Sequence, residues 1–322
     1  MANRAVIALV ALFCAFAAQA AGRPLPAFEV VERIVPADPL AERETVWNHA
    51  GVTLTSMTYA TRPGYRPLRL DLYRQSGVAQ ARPLVVYLHG GAWLFGNPRV
   101  GAAFKNFPRI LAELAERGYV VAAIEYRLGG EAVLPAPTED LGEALDFLRA
   151  NAARLGLDPT RIALWGLSAG AQVAALSAVS CQTAPCVQGL VGWFGVYDLA
   201  AHLRQTNDVA NTKRALGCGS STCTDAALTA SSPIDHVTAR APPMLLLHGL
   251  ADTDVSSLQS QAFADRLRAA GNADVELILL PGLRHGFIGP DVTATQRGLQ
   301  QALGATFDFF DRVLQRSTTA VR

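Results

Sequence analysis

Residues 166–170 read Gly-Leu-Ser-Ala-Gly, set between the apolar run Ile162–Trp165 and an Ala-rich stretch, 169–180, with a helical pattern. A strand that passes at once into a helix through Gly-x-Ser-x-Gly is the setting of a nucleophile elbow. The turn is sharp enough to strain the serine backbone, and Gly166 and Gly170 leave room that side chains would fill. Ser168 would then stand at a helix N-terminus, where the helix dipole and the Ala169 N–H favour developing negative charge. The plainer alternative is an idle serine at a strand–turn–helix junction, because the five-residue pattern by itself is weak.

A serine nucleophile needs a base, and the base needs an acid to orient it. Six histidines are available: His49, His89, His202, His236, His248 and His285. On a sheet of this kind the chain order is Ser, acid, His. His285 lies five residues beyond the last apolar run, Val275–Leu280, and follows every acid at a strand end, so it is the expected base. The acid is expected in MLLLHGLADTDV, residues 244–255, where Asp252 and Asp254 both fall in the loop after a strand. Asp252 is favoured, since Asp254 is better placed to cap a helix starting near Ser256. VVYLHGGAW, residues 85–93, ends a buried strand in His-Gly-Gly. Gly90 and Gly91 are therefore candidate oxyanion donors together with Ala169. Loss of one such donor typically costs on the order of 10²–10³ in rate. His89 is expected to brace this loop and to take no part in proton transfer.

These residues need a scaffold that brings several strand ends to one edge. Thr53–Ala60, Leu68–Tyr73, Leu84–Leu88, Tyr119–Ile124, Ile162–Trp165, Leu190–Phe194, Met244–Leu247 and Val275–Leu280 read as strands. Helical patterns occupy 103–117, 139–155, 169–180, 256–270 and 295–315. Strands alternating with helices predict an α/β fold, a mostly parallel eight-stranded sheet covered on both faces. Residues 197–241 break the rhythm after the sixth strand and read as a small cap-like excursion within a domain spanning 52–316, followed by a tail, 317–322.

Of the 322 residues, 50% are apolar and 17% charged, and the net charge is +1, which gives nucleic-acid or anionic-membrane binding no electrostatic support. Residues 1–20, MANRAVIALVALFCAFAAQA, have the form of a secretory signal with cleavage near Ala20, which implies a secreted or periplasmic protein. Their apolar run is short for a membrane span, so no stable membrane anchor is expected, although a retained anchor is the alternative. A Pro-rich N-terminal arm, 21–51, follows. Export makes Cys181, Cys186, Cys218 and Cys223 disulfide candidates, with 181–186 and 218–223 the simplest of three connectivities. Each small loop so closed contributes roughly 2 kcal/mol in the chain-entropy model. In a reducing compartment the same spacing would suit zinc.

The motifs HGGAW (89–93), EYRLGGEAVLPAPTEDL (125–141), LGLDPTRIALWGLSAGAQVAAL (155–176), PPMLLLHGLADTDV (242–255) and RHGF (284–287) resemble the α/β-hydrolase fold. Within that fold they are similar to the HGG-x-W carboxylesterase–lipase group, hormone-sensitive-lipase-like and feruloyl-esterase-like. The GGEA sequence looks closest to the feruloyl-esterase-like branch. The resemblance implies Ser168, Asp252 and His285 as triad and Gly90, Gly91 and Ala169 as oxyanion donors, and it gives Asp140 a bracing role. Leu167 and Ala171 depart from the group, where an acidic residue and a second glycine are common.

The expectation is a serine carboxylesterase for short-chain or aromatic esters, with a small-molecule ester as partner and no metal or organic cofactor. Trp93, Phe95, Leu167, Phe194, Tyr197 and Phe287 are candidates to line the pocket, each equally fit to be plain core. The alternatives are a serine amidase, arylformamidase-like or peptidase-like, and a non-catalytic binding protein on the same scaffold.

Overall fold

All eight expected runs become strands of a single sheet in the computed structural model, which describes residues 47–49, 51–181, 186–206 and 209–314. A ninth strand, β1 (Trp47–His49), pairs antiparallel with β2 (Val52–Ala60) at one edge and at three residues is too short to show as an apolar pattern. The others are β3 (Leu68–Gln75), β4 (Arg82–Leu88), β5 (Val120–Ile124), β6 (Leu157–Leu167), β7 (Gly189–Trp193), β8 (Met244–Gly249) and β9 (Val275–Leu280). Their spatial order is β1-β2-β3-β5-β4-β6-β7-β8-β9. From β5 to β9 the pairing is parallel throughout, so the ends of β4, β6, β8 and β9 share one edge. In open α/β sheets that carboxyl edge is where ligands bind.

Alternation along the strands divides the core in two. Leu84, Val86 and Leu88 of β4 pack with residues of the helices Ala136–Ala150, Ala169–Val179 and Leu258–Ala269, while Val85 and Tyr87 face Phe107–Glu116 and Val292–Leu314. The helix Ala169–Val179 is buried at every position but Ser177, as expected of a helix apolar all round. It begins directly after the serine.

The 197–241 excursion is built from three short helices, Leu199–Gln205, Val209–Ala215 and Asp225–Ser231, and a 3₁₀ turn, Pro233–His236. Leu199, Ala215 and Leu216 anchor them in the core. Cysteines pair as Cys181–Cys186 and Cys218–Cys223, with Cα separations of 6.0 and 5.1 Å. The signal-like segment 1–20, most of the arm 21–51 and the tail 317–322 lie outside the described residues. Among the described residues no helix is long and apolar enough to cross a membrane.

Candidate active site

Ser168 stands between β6 and the helix Ala169–Val179 with φ 52° and ψ −119°, a strained conformation for a side-chain-bearing residue. Its N–H donates to Trp193 O at 2.9 Å, and its carbonyl accepts from Ala171 and Gln172 to start the helix. A Cβ on Gly166 would lie 2.4 Å from Gly170 O, which is the close approach expected from the sequence. At Gly170 the constraint comes from elsewhere: a Cβ there would lie 2.3 Å from the carbonyl oxygens of Leu88 and His89. The serine turn and the end of β4 are thus pressed backbone to backbone.

His285 comes from the 3₁₀ turn after β9 and lies between the serine and an acid. Its Nε2 is 3.0 Å from Ser168 Oγ, and its Nδ1 is 2.7 Å from Asp252 Oδ2. Phe194 packs edge-on to the ring at 4.7 Å. Asp252 Oδ1 accepts the N–H groups of Asp254 and Val255 at 3.0 and 2.9 Å. Its Oδ2 is also 3.3 Å from His248 Nε2. That nitrogen lies 2.9 Å from Val255 O, which can only accept, so Nε2 carries the hydrogen and Nδ1 accepts from Ser260 Oγ at 2.7 Å. Burial by itself would push the Asp252 carboxyl up, but hydrogen bonds from His248 and His285 outweigh it and hold the group well below the usual carboxylate range.

Asp254 does not cap the following helix, whose N-cap is Ser257. Its side chain is exposed on the cavity wall. Asp252, Asp254 and His285 each place one donor atom within 4.8 Å of the others. The atoms of Asp252 and His285 are already engaged with each other and with backbone N–H groups, which makes them a poor metal ligand set.

Gly90 abuts the serine, since a Cβ on it would lie 3.2 Å from Ser168 Cβ. Among the described residues no backbone acceptor takes the N–H of Gly90, Gly91 or Ala169. His89 braces this loop: its Nδ1 donates to Gly90 O at 2.7 Å, and its ring stacks on Tyr126 at 4.4 Å. Tyr126 Oη donates in turn to His89 O at 2.7 Å. Burial is the main influence on His89 and lowers its pKa to about 4, against a rise from the Gly90 carbonyl. The ring is ordinarily protonated below about 6.5 once the chain unfolds, so its stabilisation is whole above that pH and is lost as pH falls toward 4. Wild type should therefore lose up to about 3 kcal/mol more than His89→Gln between pH 7 and pH 4. Urea midpoints of both proteins at the two pH values measure this, and equal losses would contradict it.

The serine opens into a cavity of ≈ 500 Å³. Trp93, Phe95 and Leu167 line it, and so does Phe194. Tyr197 and Phe287 do not, which corrects the expectation for both. Tyr197 turns inward to stack on Phe263 at 4.5 Å, and Phe287 is wedged between Trp193 and Phe194 at 5.1 and 4.8 Å. The walls that sequence reasoning missed come mainly from Val100, Ala102, His202, Thr206, Thr212 and Ile288. No local pattern marks them, because they come from the loop after β4, from the excursion and from the turn after β9.

Two buried polar residues did carry a signal. Gln172 stands out in the apolar AGAQVAALSAV helix, where it accepts from Trp93 Nε1 at 2.8 Å and donates to Ser231 O at 2.7 Å. It thereby joins the loop after β4 to the excursion. His248 is the lone polar side chain in MLLLHG and stands four residues before Asp252. Asp140 accepts from Arg127 N and Nε, both at 2.8 Å, and ties the loop after β5 to the helix Ala136–Ala150.

A hydroxyl, an imidazole and a desolvated carboxylate in this sequence can move a proton off the serine as it attacks a carbonyl carbon. Comparison with known proteins gives that chemistry a context. Residues 70–267 match the BD-FAE family model. Esterase LipQ of Mycobacterium tuberculosis is 33% identical over 267 residues, covering 79% of this chain and 61% of LipQ. Isoprenylcysteine alpha-carbonyl methylesterase ICME of Arabidopsis thaliana is 29% identical over 253 residues, covering 71% of this chain and 56% of ICME. The chain spans about three-fifths of the length of such relatives. The thermophilic esterase Est2 of Thermogutta terrifontis superposes with a TM-score of 0.66 at 25% identity, covering 84% of this chain and 96% of Est2. A truncated carbohydrate esterase from gut microbiota gives a TM-score of 0.68 at 24% identity, covers 84% of this chain and 99% of that one, and has the same α/β-hydrolase fold.

Proposed function

From the premise that the chain belongs to the BD-FAE family, we propose that it is a serine hydrolase of carboxylic esters, with Ser168 as nucleophile, His285 as general base and Asp252 as orienting acid. The observation that carries this reading is His285 bridging Ser168 Oγ and Asp252 Oδ2 at 3.0 and 2.7 Å at the mouth of an open cavity.

Ser168 Oγ attacks the ester carbonyl while His285 Nε2 takes its proton. The negative carbonyl oxygen is received by the N–H groups of Gly90, Gly91 and Ala169, which have no competing backbone acceptor among the described residues. His285 then returns the proton to the leaving alcohol, and a water retraces the path to release the acid. Asp252 remains ionised throughout, because four hydrogen bonds converge on its two oxygens. The cavity, walled by Trp93, Phe95, Leu167 and Phe194 and closed on one side by the excursion, suits a short acyl or aryl ester. The signal-like segment 1–20 and the two disulfides support a secreted or periplasmic enzyme, with the hydrolase domain over 52–316.

The test is turnover of p-nitrophenyl acetate, butyrate and decanoate, methyl ferulate and N-formylkynurenine, with parallel labelling by paraoxon. Ester turnover that stops in step with one phosphoryl adduct on the Ser168 peptide is the expected result. Turnover of the formyl amide alone would move the protein to an amidase, and silence across the panel with no adduct would reject hydrolysis.

A further inference from the structure

The proposed triad leaves one exposed ionisable residue of the cavity without a role. Asp254 is exposed on the wall, two residues beyond the acid that holds His285. Its carboxylate reaches within 4.8 Å of His285 and of Asp252. No lysine or arginine lines the cavity among the described residues, and the remaining titratable groups of the wall are His285 itself and the buried His202. The charge that the site presents to a bound molecule is therefore negative and concentrated on the His285 side.

That charge is held in place. The Asp254 N–H donates to Asp252 Oδ1 at 3.0 Å, and the Asp254 carbonyl accepts from Thr206 Oγ1 at 3.1 Å. Both peptide groups of the residue are thus tied, one to the acid of the triad and one to the end of the helix Leu199–Gln205. Asp254 lines the cavity, and among the described residues no hydrogen bond holds its carboxylate there.

Geometry decides which part of an ester meets it. In the proposed mechanism the carbonyl oxygen is received by the N–H groups of Gly90, Gly91 and Ala169. The leaving oxygen must come within reach of His285 Nε2 to be protonated. The alcohol moiety is thus the part that lies along Asp254. We propose that Asp254 makes the alcohol side of this cavity select by charge, favouring esters of cationic alcohols over neutral ones of the same shape and disfavouring esters of anionic alcohols. This inference rests on the hydrolase reading of the same site. Opposite charges several ångströms apart in a half-open cleft give about a tenfold preference at low salt, reduced by screening as salt rises.

The experiment compares three butyrate esters that share an acyl group: butyrylcholine, its neutral isostere 3,3-dimethylbutyl butyrate, and 4-(butyryloxy)butanoate. Relative kcat/KM is measured for wild type, Asp254→Asn and Asp254→Ser. A ratio between substrates on one preparation does not depend on how much of the protein is folded. Wild type is expected to rank cation, neutral, anion, with steps of about tenfold that shrink in 0.5 M NaCl. Both variants should bring the three values to near equality. A flat wild-type ranking, or a ranking that survives in both variants, overturns the inference. Ser168→Ala separates the two levels of the reading. If the neutral ester is turned over equally well without Ser168, or if no ester is turned over at all, the hydrolase reading fails and this inference falls with it. If turnover depends on Ser168 and the ranking is flat, only the role of Asp254 fails.

Discussion

Ser168→Ala is expected to lower kcat on any ester the protein hydrolyses by about 10⁶-fold, leaving only the residual rate due to binding and the oxyanion donors. The methyl group of alanine keeps the backbone turn, because the Ser168 N–H to Trp193 O bond and the two helix-starting bonds on its carbonyl are main-chain contacts. What is lost is the single oxygen 3.0 Å from His285 Nε2. No second hydroxyl hydrogen-bonds that nitrogen among the described residues, so no neighbour can substitute. Melting temperature should remain close to wild type, and paraoxon should add no phosphoryl group to the 155–176 segment. Esterase activity within tenfold of wild type in a well-folded Ser168→Ala protein would refute the serine mechanism.

Asp252→Asn is expected to lower kcat by about 10⁴-fold with little change in KM. The substitution is nearly isosteric but replaces one acceptor atom with a donor. Asp252 Oδ1 already serves two backbone N–H groups, which an asparagine oxygen can still accept. The amide nitrogen is then left at the Oδ2 position, where both His285 Nδ1 and His248 Nε2 donate. Donor would meet donor on two sides. His285 is forced toward the tautomer with hydrogen on Nε2, which cannot take the serine proton, and no anion remains to stabilise the imidazolium. Asp254→Asn breaks none of these bonds, so on neutral esters its loss in kcat should be far smaller. The two variants measured side by side test the choice of acid. A larger loss in Asp254→Asn would transfer the role.

Much of this site was legible because its parts follow from strand order. Ser168, Asp252 and His285 each lie just past the end of a buried apolar run, and parallel strands bring all such ends to one edge whatever the details of packing. Gly166 was legible for a similar reason, since a strand that turns directly into a helix has no space for its Cβ, whereas the clash that keeps Gly170 free of a side chain comes from the end of β4, far away in sequence. The cap was legible as an interruption of the strand–helix rhythm, whereas its three short helices were not. Each is shorter than two full turns, and propensity over so few residues is a weak guide.

By itself, then, the sequence determined the α/β architecture, the eight principal strands, the chain positions of Ser168, Asp252 and His285, and the His-Gly-Gly loop beside them. Those features are local, being written in apolar period, in glycine spacing and in order along the chain. Tertiary structure alone decided the rest. It turned Tyr197 onto Phe263 and Phe287 onto Trp193, away from the cavity, and brought Val100, Ala102 and Ile288 into its wall. It set His248 behind Asp252, passed Trp93 through Gln172 to the excursion, and left Asp254 facing the open cleft. The direction in which a side chain points from a loop depends on which distant segments pack against it. Residues far apart in sequence settle that together, and no pattern within one segment records it.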